Sequence, residues 1–157
     1  MILEGVDPKT GKRYRVDATN FSLADAEEIN SVDLLDDELK CVISGLNVSA
    51  DVKSALFKIS KVVIKAGKVL LKVGRKIIEV LVRIFTAFPE AGFGLVLGTL
   101  LGAVLGGIPI IGVVLGPLVT PIFAALGLVM GLQEDLSNKA LAREIAKAQS
   151  KFQNLAA

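Results

Sequence analysis

The sequence has no histidine and no tryptophan, and its single cysteine is Cys41. Without histidine the commonest acid–base group is missing, and neither a Ser–His nor a Cys–His nucleophilic pair can form. A lone cysteine leaves no intrachain disulfide and no Cys/His metal site. The first residues lack the basic flank and apolar core of a secretory signal. We therefore expect a non-enzymatic protein with no cofactor, no metal and no N-terminal signal peptide.

Charge is absent from one long segment, because residues 91–133 contain no Asp, Glu, Lys or Arg. Elsewhere the charges are segregated, with a net charge of −5 over residues 1–50, +6 over residues 51–90 and +1 over residues 134–157. Hydrophobic residues make up 52% of the chain, which is high for a soluble domain. One membrane span needs about 20 apolar residues, so the uncharged segment suits two spans joined by a tight turn.

The acidic residues 1–50 predict a small N-terminal cap. Apolar and β-favouring residues flank a turn in which Pro8 sets φ and Gly11 can adopt a positive φ, which predicts a β-hairpin. Ser22 and Asp25 then have the spacing of a capping box. We expect one or two short helices after them, ending near Gly45.

Residues 51–88 have the pattern of one long amphipathic helix. Their charges recur at alternating spacings of three and four, which predicts a narrow basic stripe with a period near 3.5 on an otherwise apolar helix. The residues of this stripe are Lys58, Lys61, Lys65, Lys68, Lys72 and Arg75.

Three interpretations of the basic stripe remain open. The helix could lie on an anionic bilayer with its lysines at the headgroups. Several copies could instead converge their stripes on a water-filled lumen, with anions or even nucleic acid as cargo. The stripe could also be only the solvated edge of a helix that is buried on its other sides.

Residues 89–133 predict a hydrophobic helical hairpin, and residues 134–157 predict an amphipathic helix. The strongest helix-breaking signal in the hairpin is Gly106, Gly107 and Pro109, so we place the turn there. Glycines recur at every fourth position on both arms, and in lipid such spacing lets helix backbones approach closely. These packing glycines are Gly94, Gly98, Gly102, Gly106, Gly112, Gly116, Gly127 and Gly131.

The glycine spacing resembles that of glycine-zipper membrane segments. An amphipathic helix followed by an uncharged hairpin is also similar to the hydrophobic hairpin of colicin-type pore-forming domains. The resemblance covers residues 91–132 and implies insertion into a membrane, although the chain is too short to supply the ten-helix shell of a colicin domain.

We therefore predict an all-α, membrane-type protein with a small β-hairpin and acidic helical cap. We expect it to insert into a lipid bilayer, to associate with itself and to form a channel or pore. The alternative is a structural subunit of a large assembly, such as a virion or a secretion machine. Its hairpin would then be buried against other subunits, or released into a host membrane.

Overall fold

The computed structural model describes residues 1–126 and 138–156, which form a mostly helical fold with a small antiparallel sheet. In chain order the regular elements are β1 (Ile2–Val6), β2 (Arg13–Asp17), α1 (Leu23–Asn30), α2 (Asp36–Ser44), α3 (Ala50–Ser60), β3 (Ile64–Ala66), β4 (Val69–Leu71), α4 (Val73–Ala87), α5 (Phe93–Gly107), α6 (Pro109–Leu126) and α7 (Lys139–Phe152). Two single 3₁₀ turns follow α4 and α7, at Pro89–Ala91 and Gln153–Leu155.

The four strands form one antiparallel sheet in the order β2-β1-β3-β4. The predicted N-terminal hairpin is confirmed, with Leu3 paired to Val16 and Gly11 at a φ of 72° in its turn. The Asp7 carboxylate accepts hydrogen bonds from the Lys9 and Thr10 amides of this turn, at 2.8 and 3.3 Å. The bond from the Lys9 amide is the main reason why the pKa of Asp7 lies below its ordinary value.

We expect one or two short helices in the acidic cap, and the structure has two, α1 and α2. Both hydrogen bonds of the capping box are present at the start of α1, between Ser22 and Asp25. Burial raises the pKa of Asp25, but hydrogen bonds from Ser22 and Asn154 outweigh it and hold that pKa below its ordinary value. Gly45 caps the C-terminal end of α2, as its position after the last apolar residue predicts.

The single helix predicted over residues 51–88 is wrong, because α3, a β-hairpin and α4 occupy this stretch. β-Branched residues follow α3, and Gly67 has a φ of 61° at the first position of a two-residue turn between β3 and β4. Ile64, Ala66 and Leu71 face the core from these strands. The same stretch of sequence therefore fits the alternating burial of a β-strand as well as the helical spacing of its lysines.

The predicted helical hairpin is confirmed as α5 and α6, which are separated by Ile108 alone. The break falls inside the predicted turn at Gly106, Gly107 and Pro109. We also expect Pro117 and Pro121 to kink the first half of the second arm or to keep it irregular, and the helix runs through both without an irregular segment.

The hairpin packs against helices on both of its arms and against the sheet. Helix α6 packs against α3 and β1, and helix α5 packs against α4 and α7. A Cβ placed on Gly5 of β1 lies only 2.4 Å from Cγ1 of Val114, so the glycine lets the sheet approach α6 closely. The most apolar segment of the sequence is therefore packed against the chain's other elements.

The C-terminal helix α7 is amphipathic, as predicted from residues 134–157. Leu141, Ala148 and Phe152 are buried against the rest of the chain, whereas Ala140, which we predict on the same face, is exposed. Leu136 lies outside the described residues.

Candidate functional site

Each arm of the uncharged hairpin has one buried face. On α5 the buried side chains recur at helical spacing, and on α6 they do the same on either side of its prolines. They are Val96, Leu97, Leu100, Leu101 and Val104 on α5, and Ile110, Ile111, Val114, Leu115, Val119, Ile122 and Phe123 on α6. The fully buried side chains of both arms are thus large and apolar, whereas the glycines of the described hairpin are half-buried or exposed.

Most of the predicted packing glycines with a described environment lie on the opposite, outer face of the hairpin. A Cβ placed on Gly94, Gly102, Gly106 or Gly116 meets no atom within 4 Å. A Cβ on Gly112 lies 3.4 Å from the Leu105 carbonyl oxygen, where the two arms meet near the turn.

Three of the predicted packing glycines need separate mention. Gly98 is half-buried on α5, and Gly127 and Gly131 lie outside the described residues. Most of the glycines with a known environment thus face open space, and no helix among residues 1–126 and 138–156 fills it.

A shallow apolar groove of about 310 Å³ lies between residues of both arms, at the margin of this outer face. It is lined by Leu101, Gly102, Leu105, Gly106, Gly112, Gly116 and Phe123. Its four glycines leave this space open because they have no side chains. Its lining includes no charged or hydrogen-bonding side chain, so contact with an apolar neighbour costs no polar desolvation.

Two threonines are the hydroxyl-bearing residues of the described hairpin, and both donate to their own helix. Thr99 Oγ1 donates to the Leu95 carbonyl at 2.7 Å, and Thr120 Oγ1 donates to the Gly116 carbonyl at 2.9 Å. Such bonds back to the preceding turn satisfy a hydroxyl without water. The threonines are therefore compatible with an apolar environment.

The contacts between the hairpin and its neighbours are mainly apolar. The rings of Phe85 on α4 and Phe93 on α5 meet edge to face with centroids 5.5 Å apart. Gln149 of α7 donates from Nε2 to the Ala103 carbonyl at 3.3 Å. Since the hairpin has no charged residue, no ion pair fastens it to the rest of the fold.

The residues of the predicted basic stripe do not share a helix. All five lysines are exposed, but they lie on successive elements: Lys58 and Lys61 at the end of α3, Lys65 on β3, Lys68 in the β-turn and Lys72 before α4. Arg75 is half-buried and pairs with Asp36 at 2.7 Å. The geometric basis of a continuous stripe is therefore absent.

A buried charge cluster on α4 was not expected from the sequence. Lys76 and Glu79 are only 5% and 4% exposed, and their charged groups lie 3.6 Å apart. Glu79 also accepts from Arg83 at 2.8 Å and from the Asp33 amide at 3.0 Å, while Lys76 donates to the Ser31 carbonyl at 2.9 Å. The cluster thereby ties α4 to the loop between α1 and α2.

Lys151 of α7 lies in the electrostatic field of the charge cluster. Burial lowers the pKa of Lys151, and the positive charges of Arg83 and Lys76 lower it further. The helical spacing of Lys76, Glu79 and Arg83 is the signal that could have indicated the cluster, because residues three and four apart share a helix face.

The described part of the hairpin has an apolar, glycine-lined surface that no other described element covers. Residues 109–126 form one helix that is long and apolar enough to cross a membrane, although 39% of that window is buried within the fold. Helix α5 is equally apolar but shorter. Among the described residues, no group of His, Cys, Asp and Glu side chains could hold a metal ion. No protein-family model, curated protein or solved structure matches this chain.

Proposed function

We propose that the chain inserts its α5–α6 hairpin into a lipid bilayer and associates there with further copies, forming or helping to form a channel or pore. The observation that carries the proposal is the outer face of the hairpin, which is uncharged, lined by glycine and open. A surface helix of a soluble protein ordinarily places charged residues on this side.

A bilayer can replace the protein contacts that bury the inner face of the hairpin. Its side chains, such as Leu97, Leu100, Val114 and Ile122, are fully buried aliphatic groups. Hydrocarbon offers them a similar environment, so their transfer from the core to lipid loses little of the stabilisation of about 25 cal/mol per Å² of buried apolar surface. Insertion instead depends on what happens to α3, α4, α7 and the sheet, which lose their common partner.

The lengths of the two arms are close to those of membrane spans. Helix α6 has 18 residues and is about 27 Å long, and α5 has 15 residues and is about 22 Å long. A hydrocarbon core is about 30 Å thick. Arms of this length fit with modest thinning of the bilayer.

Glycine supplies the means of association in lipid. Helices there are held by close backbone packing rather than by the hydrophobic effect, and small residues at every fourth position permit it. The open space before Gly94, Gly102 and Gly106 can accept a helix from a second copy. This proposal gives a reason for glycines on which no other described residue packs within 4 Å of an added Cβ.

Headgroup contact is the membrane role that we retain for the lysines. A lumen lined by them required one continuous helix over residues 51–88, and the chain instead turns through β3 and β4. Nucleic acid as the cargo of such a lumen is dropped with it. Exposed lysines such as Lys58 and Lys61 can still contact anionic lipid, with a contribution of about 1 kcal/mol each.

A second candidate function is a structural subunit of a virion or secretion machine. It is favoured by the share of α6 that this fold already buries without lipid. The outer glycine face would then pack against neighbouring subunits, and the hairpin could be released into a host membrane later.

Fractionation and vesicle leakage together distinguish the two functions. The membrane proposal predicts carbonate-resistant binding to anionic vesicles and release of an entrapped dye. It also predicts that cysteines placed at Ala87 and Lys139, in a Cys41→Ser background, react with a reagent added on one side only. Soluble oligomers that neither bind nor leak vesicles would reject insertion and favour the structural subunit.

A further inference from the structure

The two edges of the sheet differ in how their backbone groups are satisfied. At the β4 edge, the side-chain amide of Asn30 donates to the Leu70 carbonyl at 3.1 Å and accepts from the Lys72 amide at 2.8 Å. One side chain thus takes the place that a neighbouring strand would occupy. Such covering is a common way to stop an edge from pairing with another chain.

The β2 edge has no equivalent cover among the described residues. The Ala18 amide donates to Met1 and the Asp7 amide donates to Lys12, so these bonds bracket the β1–β2 ladder. Antiparallel hydrogen bonding alternates along a strand, so the backbone amides and carbonyls of the even-numbered β2 residues point toward β1. The amides and carbonyls of Arg13, Arg15 and Asp17 therefore point away from the sheet, and their side chains are 72%, 67% and 67% exposed.

We infer that the β2 edge pairs with the β2 strand of a second copy, antiparallel, around a two-fold axis at Arg15. This arrangement joins two sheets of four strands into one of eight. Arg13 then lies opposite Asp17 of the second copy, and Asp17 lies opposite Arg13 of that copy. The edge is thus complementary to itself in charge, as an isologous interface requires.

Charge pairing and strand length select this register, because axes at Tyr14, Arg15 and Val16 all match the hydrogen-bonding alternation. With the axis at Arg15, all three outward-facing residues fall at hydrogen-bonded positions and both opposite-charge pairs form. An axis at Tyr14 would place Arg13 opposite Arg15 twice, which is repulsive. An axis at Val16 would pair Arg15 with Asp17 but would leave Arg13 beyond the end of the opposing strand.

The repulsion between the two Arg15 side chains at the axis is reduced by a carboxylate within each copy. Glu4 of β1 accepts from Arg15 Nε at 3.1 Å and also lies 3.5 Å from Arg13. Each Arg15 therefore reaches the axis already paired with a carboxylate. This β2 interface is separate from the glycine face of the hairpin, so it does not depend on membrane insertion.

The primary test measures the mass of the full chain by light scattering in detergent-free buffer at tens of micromolar. We expect a dimer. Arg13→Asp and Asp17→Arg should each raise the dimer dissociation constant at least about tenfold, because each turns both opposite-charge pairs into like-charge pairs. The double variant Arg13→Asp/Asp17→Arg should restore the dimer.

Three results of this mass measurement would overturn the inference. They are a monomeric wild type, a dimer that neither single variant weakens, and a double variant that stays as weak as the single ones. Gly102→Leu should leave this dimer intact. Failure of the β2 interface can therefore be told apart from failure of the glycine face.

Crosslinking tests the register without relying on stability. Arg15→Cys in a Cys41→Ser background should form a disulfide between copies, because paired Cα atoms at such a site lie about 5.5 Å apart, within disulfide range. Leu70→Cys is the matched control on the edge that Asn30 covers, and it should stay uncrosslinked. Equal crosslinking at the two positions, or none at position 15, would contradict the pairing.

Discussion

Substitutions of Gly102 distinguish the stability of the soluble fold from the proposed association of hairpins in a membrane, and Gly102→Ala tests the stability. Gly102 lies in the middle of α5, and a Cβ at this position meets no atom within 4 Å. The substitution therefore adds no clash and no packing, so only helix propensity changes. We expect the free energy of unfolding to rise by about 0.5–1 kcal/mol.

The assay is reversible urea unfolding of the full chain, followed by circular dichroism. For a chain of this length, the expected gain corresponds to a rise in Tm of about 1–4 °C. Gly102→Leu should also stabilise the soluble fold, yet it should reduce crosslinked oligomers in detergent because its side chain fills the groove. A loss of stability in Gly102→Ala would refute the open outer face, and unchanged oligomers in Gly102→Leu would refute association through it.

Three further substitutions probe the interior and the helix caps. Gly74→Ala should unfold the chain or cost about 3 kcal/mol or more, because its Cβ would lie 1.7 Å from the Ile59 carbonyl oxygen, and denaturant unfolding measures this loss. Glu79→Gln should cost about 3–5 kcal/mol in the same assay, since it leaves the buried Lys76 ammonium without its carboxylate. Asp25→Asn should lower stability at pH 7. Because folding lowers the Asp25 pKa, the deficit should shrink as the pH falls from about 4 through that lowered pKa.

Each of these substitutions has a control or a contradicting result. Glu144→Gln removes an exposed partner of Lys147 and should change stability by less than about 1 kcal/mol. If Glu144→Gln lost as much stability as Glu79→Gln, burial of the Lys76–Glu79 pair would not explain the loss in Glu79→Gln. A near-neutral Gly74→Ala would contradict the close approach of α4 to α3. A deficit of Asp25→Asn that is independent of pH would assign it to helix capping alone.

Much of the fold could be predicted from local signals in the sequence. Gly11 in a turn, the capping box at Ser22 and the break before Pro109 depend on backbone conformation within a few residues. Each of these features lies where it was predicted. The inner and outer faces of α5 also follow from the contrast between leucine and glycine along one helix.

The β3–β4 hairpin was missed because two periodicities coincide in the same residues. The lysine spacing from Lys58 to Lys72 fits a helix, whereas the buried residues Ile64, Ala66 and Leu71 fit strands. The choice depends on β1, which pairs with β3 and is far from it in sequence. The β-branched run before Gly67 was the local sign of strands.

The environment of the glycines could not be predicted because spacing does not identify the neighbour. Gly94, Gly102 and Gly106 define one side of a helix, and the sequence suggests that something packs there. In the single chain α6 packs elsewhere, and it contacts the sheet at Gly5 instead. The sequence therefore predicts a glycine-lined side of α5, whereas its association with another helix has to be measured.

A reversible lock between α6 and β1 tests the central claim most directly. A Cβ placed on Gly5 lies 2.4 Å from Val114 Cγ1, and Val114 Cβ is no nearer than 3.7 Å. Because Val114 Cβ is one bond of about 1.5 Å from Cγ1, the Cβ–Cβ distance is at most about 3.9 Å, which suits a disulfide. In a Cys41→Ser background, Gly5→Cys/Val114→Cys should release no dye from anionic vesicles when oxidised and should release it once reduced. Equal leakage in the two states would show that α6 need not leave the sheet, and no leakage after reduction would contradict insertion of the hairpin.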